Sequence, residues 1–487
     1  MKPRPFPAAH VRVPAAALAA AALLCGCNAA GPDYRKPALD MPVAWKVEAP
    51  WREGKPNDAA PKGPWWIGFN DPQLNELQDK ALAGSPTLAI AGARLAQARA
   101  TLAAATAAVY PQIGIAARDV RNRITQNRPL SGYATPNFSV AQTDMAGVLT
   151  ASYEADLSGR VQRSIEGARA SAEQSAADFE NTRLLLTADL ATAYFNLRAL
   201  DIELDVLARS IGLQRRALEV AAARHDLGAT SGLDVAQQQA LLDSTLTQVD
   251  VLKKARGQFE HAIATLTGTP APLFALAPEV KLLVPPPVPA GVPSDVLERR
   301  PDVASAERAM AAANAQIGVA NAAFYPSIFI TGTGGQQARR LSLLFDSPSL
   351  IWSLGASLTA PLFDGGRIRA NVENASAGYE ATVAAYRRVV LTAMQEVEDG
   401  ITGLAALERA HAQALAATRS ASKVLDLATS RYEGGVATYL DVISAQQGLL
   451  SSERLAAQLA GQRLLTAVFL VKALGGDWAG AKTLAAQ

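Results

Sequence analysis

A segment of this chain occurs twice. Arg224-His225-Asp226-Leu227-Gly228-Ala229-Thr230-Ser231-Gly232-Leu233-Asp234-Val235 returns as Arg431-Tyr432-Glu433-Gly434-Gly435-Val436-Ala437-Thr438-Tyr439-Leu440-Asp441-Val442, at an offset of 207 residues. The same offset carries Gly159-Arg160 onto Gly366-Arg367. Tyr110-Pro111-Gln112-Ile113 returns as Tyr325-Pro326-Ser327-Ile328 at the slightly longer offset of 215. The chain is therefore one long supersecondary unit built twice, and every other feature has to be read within that frame.

Proline placement fixes what each copy contains. No proline lies between Gly159 and Pro270, and none follows Pro361. A proline inside a helix costs about 3 kcal/mol, so these two runs are free to be very long helices. In the first, Leu190, Leu197, Leu204, Ile211 and Leu218 recur every seven residues, with Ala193, Leu200 and Leu207 between them. That alternation of three and four is a coiled-coil stripe. Arg160–Arg224 and Arg367–Arg431 each cover 65 residues, roughly 97 Å at the α-helical rise. Returning helices, about Val235–Leu266 and Val442–Leu474, pack back antiparallel after a tight turn. The composition suits close helix packing: 49% of residues are hydrophobic but only 6% aromatic.

The start of each copy reads differently. Ile113-Gly114-Ile115-Ala116-Ala117 and Ile328-Phe329-Ile330-Thr331-Gly332-Thr333 have the β-branched and glycine content of strands. Second strands are expected at Met145–Tyr153 and Trp352–Thr359. The polar stretches between, about Arg121–Ala141 and Gln337–Pro348, are expected to be exposed loops. Each repeat thus reads as helix, strand, loop, strand, long helix, turn, long helix. Pro285-Pro286-Pro287-Val288-Pro289 is a stiff connector between the copies.

The first 27 residues read as an export signal. Lys2, Arg4 and Arg12 precede an apolar stretch, Val13–Leu24, that is too short to span a bilayer at about 20 residues. No later segment is apolar for about 18 residues, so a membrane crossing by the mature chain has to be a closed β-barrel. Four strands cannot close one, since bacterial barrels begin at eight. Several chains must share a barrel: two would supply eight strands with a filled interior, three would supply twelve with room for a lumen. A transport role favours three or more. The chain's two cysteines, Cys25 and Cys27, both lie in the leader, so no disulfide is expected within the mature chain. A net charge of +2 gives no basic patch for nucleic acid.

Several motifs then align in order. Leu24-Cys25-Gly26-Cys27 resembles the lipobox of bacterial lipoproteins, which implies lipid on Cys27; Asn28 rather than Asp after it implies the outer membrane. Gly31-Pro32-Asp33-Tyr34-Arg35-Lys36-Pro37, Trp65-Trp66 with Phe69, Asp71-Pro72 and Leu74, and Tyr153-Glu154-Ala155-Asp156-Leu157-Ser158-Gly159-Arg160 follow. Glu298-Arg299-Arg300-Pro301-Asp302-Val303, Phe324-Tyr325-Pro326-Ser327-Ile328 and Pro361-Leu362-Phe363-Asp364-Gly365-Gly366-Arg367 complete the set. Together they resemble the TolC-like outer-membrane efflux ducts, in the lipid-anchored branch called NodT-like or OprM-like. The resemblance runs from Cys27 almost to the C-terminus. It implies a mainly α fold with a membrane β-barrel: a homotrimer with a twelve-stranded barrel and a long antiparallel α-helical barrel through the periplasm. It also implies a periplasmic adaptor and an inner-membrane pump, of the resistance-nodulation-division class, as partners. No cofactor is implied beyond the covalent lipid. The corresponding boundaries are a signal peptide 1–26, an anchored segment 27–84, a first repeat 85–277, a linker 278–293, a second repeat 294–475 and a tail 476–487.

The turns between long helices carry the candidate site. By resemblance, Asp234 and Asp441 face the lumen and narrow the tunnel entrance, and Tyr432 helps hold it closed. Rings of like carboxylates favour cations and respond to pH and divalent ions. A structural reading stands beside this one, because Ser231-x-x-Asp234 and Thr438-x-x-Asp441 have the form of capping boxes. Gly228 and the pair Gly434-Gly435 read as helix C-caps needing positive φ, and by resemblance these turns face the adaptor. Relatives carry a second tip aspartate where Ser444 stands, an arginine where Ala437 stands and a tyrosine where His225 stands, so the closing contacts of this chain differ. Trp65 and Trp66 are expected to pin the N-terminal segment rather than bind a ligand.

Two other classes fit the sequence less well. An enzyme is disfavoured because the histidines at 10, 225, 261 and 411 have no metal-ligand spacing and no nucleophile elbow or Walker loop is present. A pore-less coiled-coil spacer would have no use for two strand pairs.

Overall fold

The computed structural model describes residues 29–35, 63–127, 140–281, 284–286 and 299–476. Cys27, Asn28, the signal segment and much of the proline-rich connector lie outside these residues.

Each copy contains the same elements. A single-turn 3-10 helix, Trp65–Phe69, and helix α1 (Pro72–Gly84) precede the first. Then come α2 (Pro86–Ala107), β1 (Gln112–Ile124), β2 (Val140–Ala155), α3 (Arg160–Asp226) and α4 (Gly232–Leu266). The second copy repeats the series as α5 (Pro301–Ala322), β3 (Ser327–Ala338), β4 (Leu350–Thr359), α6 (Arg367–Glu433) and α7 (Tyr439–Ala473). The long helices α3 and α6 are each 67 residues and the returning helices α4 and α7 each 35, so both pairs keep the 207-residue offset at both ends. At 1.5 Å per residue, each long helix is about 100 Å. No described helix is long and apolar enough to cross a membrane.

The chain divides into two compact units. The first comprises Met1–Pro37, Gln97–Glu173 and Arg308–Ala384. It holds an antiparallel four-stranded sheet in the order β1-β2-β3-β4, leaving β1 and β4 as open edges. Ile115 lies opposite Leu149, Tyr153 opposite Ile330, and Ile328 opposite Leu358. Because side chains alternate along a strand, this register puts Ile113, Ile115, Leu149, Tyr153, Ile328, Ile330, Trp352, Leu354 and Leu358 on one face. That face is bare: Ile115 is 82% exposed, Trp352 78% and Leu354 75%. The other face carries Thr150, Thr331, Thr333, Ser353 and Ser357. There Arg118 and Asp144 form an ion pair at 2.6 Å, and Gln337 Nε2 donates to Asp144 at 2.6 Å. An apolar outer face against a polar inner one is the pattern of a membrane barrel wall.

The strands are longer than the sequence reading allowed. Arg121–Ile124, Val140–Ala141 and Gln337–Ala338, expected in loops, are paired in the sheet. Asn122 and Gln337 lie on the polar face, whereas Arg121 and Arg123 lie on the same face as Ile113 and Ile115, at the end of β1 remote from α2. In the same unit, residues 29–33 form a strap tied to α3 and α5. Ala30 donates to the Ser158 carbonyl at 3.0 Å, and the Arg163 guanidinium donates to the carbonyls of Ala30 and Gly31 and to Asp33. Asn314 Nδ2 donates to the Pro32 carbonyl at 3.0 Å.

The second unit comprises Ala38–Ala96, Gln174–Glu307 and Ala385–Gln487. Leu190, Leu197, Leu207 and Ile211 of the heptad stripe are buried in it, while Leu200 and Leu204 are half-buried. Trp65, Trp66 and Phe69 join Leu190, Tyr194, Phe195 and Leu197 in one apolar cluster, with Trp65 Nε1 donating to Thr187 Oγ1 at 3.2 Å. Each such large side chain contributes roughly 1.5–3 kcal/mol by burial. The two tryptophans are core residues that hold the N-terminal segment, as expected. A buried ion cluster lies nearby: Asp201 accepts from Arg198 and from Arg256, each at 2.6 Å.

Candidate functional site: the turns between the long helices

The two turns have the same backbone. Helix α3 ends at Asp226, Gly228 adopts φ 71°, and the amides of Gly228 and Ala229 donate to the carbonyls of His225 and Arg224, both at 2.8 Å. Helix α6 ends at Glu433, Gly435 adopts φ 72°, and the amides of Gly435 and Val436 donate to Tyr432 and Arg431, both at 3.0 Å. Both are Schellman motifs, in which a left-handed residue just past the cap satisfies the last carbonyls. Gly434 is not among the positive-φ residues. It occupies the position of Leu227, where a side chain is accommodated, so the left-handed requirement falls on Gly228 and Gly435 and not on Gly434.

The next helices start differently. Ser231 Oγ accepts from the Leu233 amide at 3.1 Å, and the half-buried Asp234 meets Ser231 through its backbone amide, which donates to the Ser231 carbonyl at 3.1 Å. In the second turn the Thr438 amide and the Thr438 hydroxyl both donate to Asp441 Oδ2, at 2.9 and 2.8 Å. These bonds, with the charge of Arg431, hold the Asp441 carboxyl below the ordinary carboxylate range. The acids that the duplication makes equivalent are thus chemically distinct: Asp441 is engaged as a cap and Asp234 is not.

Tyr432 and its surroundings form the second asymmetry. The Tyr432 ring lies 5.0 Å from that of Tyr439, with the Arg224 guanidinium 5.0 Å from its centroid. Tyr439 is buried with Ala221, Leu241, Val442 and Ile443. Its hydroxyl donates to Gln238 Oε1 at 3.0 Å, and Gln238 Nε2 donates to the Gln214 carbonyl at 3.1 Å. This chain of contacts ties the second turn to the first. Burial, then the nearby Tyr432 and Asp234, push the Tyr439 hydroxyl up to about 12. At the position of Tyr432, the first repeat has His225, whose Nδ1 lies 3.1 Å from the Thr230 carbonyl of its own turn.

Tyr439 and Gln238 are the residues that sequence reasoning missed. The available signal was the pair of tyrosines flanking the second turn, Tyr432 in the last turn of α6 and Tyr439 at the start of α7. The duplication hides it, because Gly232 stands at the position equivalent to Tyr439. Among the described residues, no group of three or more His, Cys, Asp and Glu could hold a metal ion.

Comparison with known proteins agrees with this architecture. The family described as "Outer membrane efflux protein" matches residues 77–269 and 292–476, one segment for each repeat. The pyoverdine export outer membrane protein OpmQ of Pseudomonas aeruginosa is 32% identical over 462 residues, covering 95% of this chain and 96% of that protein. OprJ of the same organism is 30% identical over 465 residues, with the same coverage of 95% and 96%. Among solved structures, the outer-membrane channel OprN superimposes with a TM-score of 0.82 at 28% identity, covering 93% of this chain and 100% of that one. The open state of the Neisseria gonorrhoeae MtrE channel does so with a TM-score of 0.78 at 29% identity, covering 91% and 97%. The chain belongs to the outer membrane efflux protein family, and is an efflux channel protein of the outer membrane.

Proposed function

We infer that three copies of this chain form the exit duct of a tripartite efflux system, receiving cargo from an inner-membrane pump through a periplasmic adaptor. The observation that carries this is the sheet. It has an apolar outer face, a polar inner face and two unpaired edges, an arrangement that lipid tolerates only when further copies close the ring. Three copies supply twelve strands and an open lumen. Lipid on Cys27 would anchor the duct beside the barrel. The cargo class that fits is small exported molecules; OpmQ is named for pyoverdine export, and TtgF of Pseudomonas putida for toluene efflux. The chain carries cargo and catalyses no reaction in this reading.

The helical turns would form the periplasmic entrance. Asp234 and Asp441 then supply carboxylate rings, with Asp234 the freer of the two, and the Tyr432–Tyr439–Gln238 contacts keep the turns together. The turn residues around Gly228, Gly434 and Gly435 would meet the adaptor. Purified protein in a planar bilayer tests the reading. A reproducible cation-preferring conductance is expected, and replacing Asp234 and Asp441 together with alanine should raise conductance or weaken the cation preference. A silent bilayer would support a pore-less spacer, and unchanged conductance in the double variant would reduce both acids to helix caps.

A further inference from the structure

The N-terminal strap ends beside an open cavity in the first unit. The strap is tightly seated. Gly31 adopts φ 93° and Gly159 φ 73°. A Cβ on Gly31 would lie 2.7 Å from Gly318 Cα, and one on Gly159 would lie 2.6 Å from Ala29 Cα. Backbone therefore meets backbone on both sides of Ala30, whose amide donates to the Ser158 carbonyl at 3.0 Å. Ala29 forms part of the wall of a cavity of about 320 Å³, together with Val109, Tyr153, Asp156, Leu157 and Val161. That volume lies in the range of small-ligand sites.

We propose that this cavity seats the lipid-modified Cys27, with the cysteine's own nitrogen against Asp156 and the first carbons of the lipid against the apolar lining. The seat rests on the lipid anchor read above and specifies where on the chain that anchor is held. Cys27 stands two residues before Ala29, so their Cα atoms are at most about 7 Å apart.

The chemistry of the lining fits that occupant. Val109, Leu157 and Val161 give it apolar surface, and Tyr153, near the end of β2, belongs to the bare apolar face of the sheet. The cavity thus borders the surface that lipid would cover. Asp156 supplies a polar group with an unmet need. Its Oδ2 accepts from the Gln162 backbone amide at 2.9 Å, while its Oδ1 is buried with no hydrogen-bond partner among the described residues. An ionised carboxylate can only accept, and a buried acceptor left alone costs free energy. Cleavage before Cys27 creates a nitrogen that donates, whether it stays an ammonium or becomes an amide. The contrast between the repeats points the same way. The positions of Val109 and Asp156 are held by Phe324 and Phe363 in the second repeat. Smaller side chains stand in the copy that meets Ala29.

Hydrogen exchange at the Ala30 amide, with the protein in lipid nanodiscs, reads whether the cavity is filled. Intact mass first shows whether mature Cys27 carries lipid; a mass without it would end the anchor reading, and the seat with it. With lipid present, the comparison is Cys27→Ala, exported by a leader cut by signal peptidase I in place of residues 1–26. Its Ala30 amide should exchange about tenfold faster, the loss expected from uncovering about two methylenes. Val109→Phe should act with opposite sign in the two backgrounds. In the lipidated chain the added ring competes with the lipid and should speed exchange about tenfold. In the Cys27→Ala chain it fills vacant space and should slow exchange. An effect of one sign and size in both backgrounds, as a free membrane phospholipid in the cavity would give, would overturn the proposal. So would Ala30 exchange that Cys27→Ala leaves unchanged, when mass has confirmed the lipid on the parent chain.

Discussion

The contact that most constrains the turns is the hydroxyl of Tyr439 on Gln238, and its removal gives a measurable consequence. In Tyr439→Phe the ring still packs against Tyr432, Val442 and Ile443, but Gln238 Oε1 loses its 3.0 Å donor in a site where the Gln238 side chain is fully buried. Leaving a buried acceptor unpaired costs about 1–3 kcal/mol, a factor of roughly 5 to 150 in the population of the separated turns. Hydrogen exchange of the detergent-solubilised assembly measures that population locally. Amides of the second turn, including Gly435 and Val436, should exchange about 5- to 150-fold faster, while those of β1–β4 stay unchanged. Adding Gln238→Leu should restore much of the protection, because two apolar partners leave nothing unsatisfied. The wild-type protein should show the same loosening in alkali. The Tyr439 hydroxyl titrates at about 12 in the fold against about 10 when unfolded. Its stabilising contribution is therefore complete below pH ~10 and lost as pH rises towards ~12. Tyr439→Phe has no such group and should lack that step. Exchange in Tyr439→Phe within twofold of wild type would refute the argument.

Two further substitutions separate residues that look alike in sequence. Gly435→Ala forces a Cβ into φ 72° and should cost about 1–2 kcal/mol, whereas Gly434→Ala, outside the left-handed region, should leave thermal unfolding within about 0.5 kcal/mol of wild type. Asp201→Ala leaves Arg198 and Arg256 buried without the carboxylate that each meets at 2.6 Å. It should cost about 3–5 kcal/mol, read as a drop of several degrees in the unfolding temperature of the second unit.

Much of this was legible in the chain because the signals were local or repeated. Proline-free runs allowed long helices and the repeated turn segment ended them, placing the ends of α3 and α6 to within two residues, since Arg224 and Arg431 sit just before the helix ends at Asp226 and Glu433. The turn glycines declared themselves by recurring at one offset. The strand ends were missed because Arg121, Asn122 and Arg123 form a run of polar residues with no apolar alternation, and only the pairing with Thr143, Gln142 and Ala141 shows that the strand continues through them. The buried cluster around Asp201 was missed for a related reason: arginines and aspartates three or more residues apart on a helix read as a solvated face. Tyr439–Gln238 spans 201 residues, joins two different turns and has no counterpart in the other repeat, so neither periodicity nor self-comparison could reveal it.

The pattern of what the duplication kept and what it let go bears on function. Helices α3 and α6 agree in length, as do α4 and α7, because each packs along its neighbours and an insertion would shift every heptad after it. The eight-residue difference between the offsets of 215 and 207 falls between the strands of a hairpin, where a loop outside the sheet can absorb it. At the turns the backbone is retained, with Gly228 and Gly435 at φ 71° and 72°, while the polar side chains diverge. His225 faces Thr230 where Tyr432 meets Tyr439 and Arg224, and Asp234 is uncapped where Asp441 is capped. A turn needed only to reverse the chain would gain nothing from unlike side chains on like backbones. In the duct reading proposed above, the divergence would suit an entrance in which one hairpin is held by the other and can leave it: a shared scaffold for geometry, and one asymmetric polar contact, Tyr439 on Gln238.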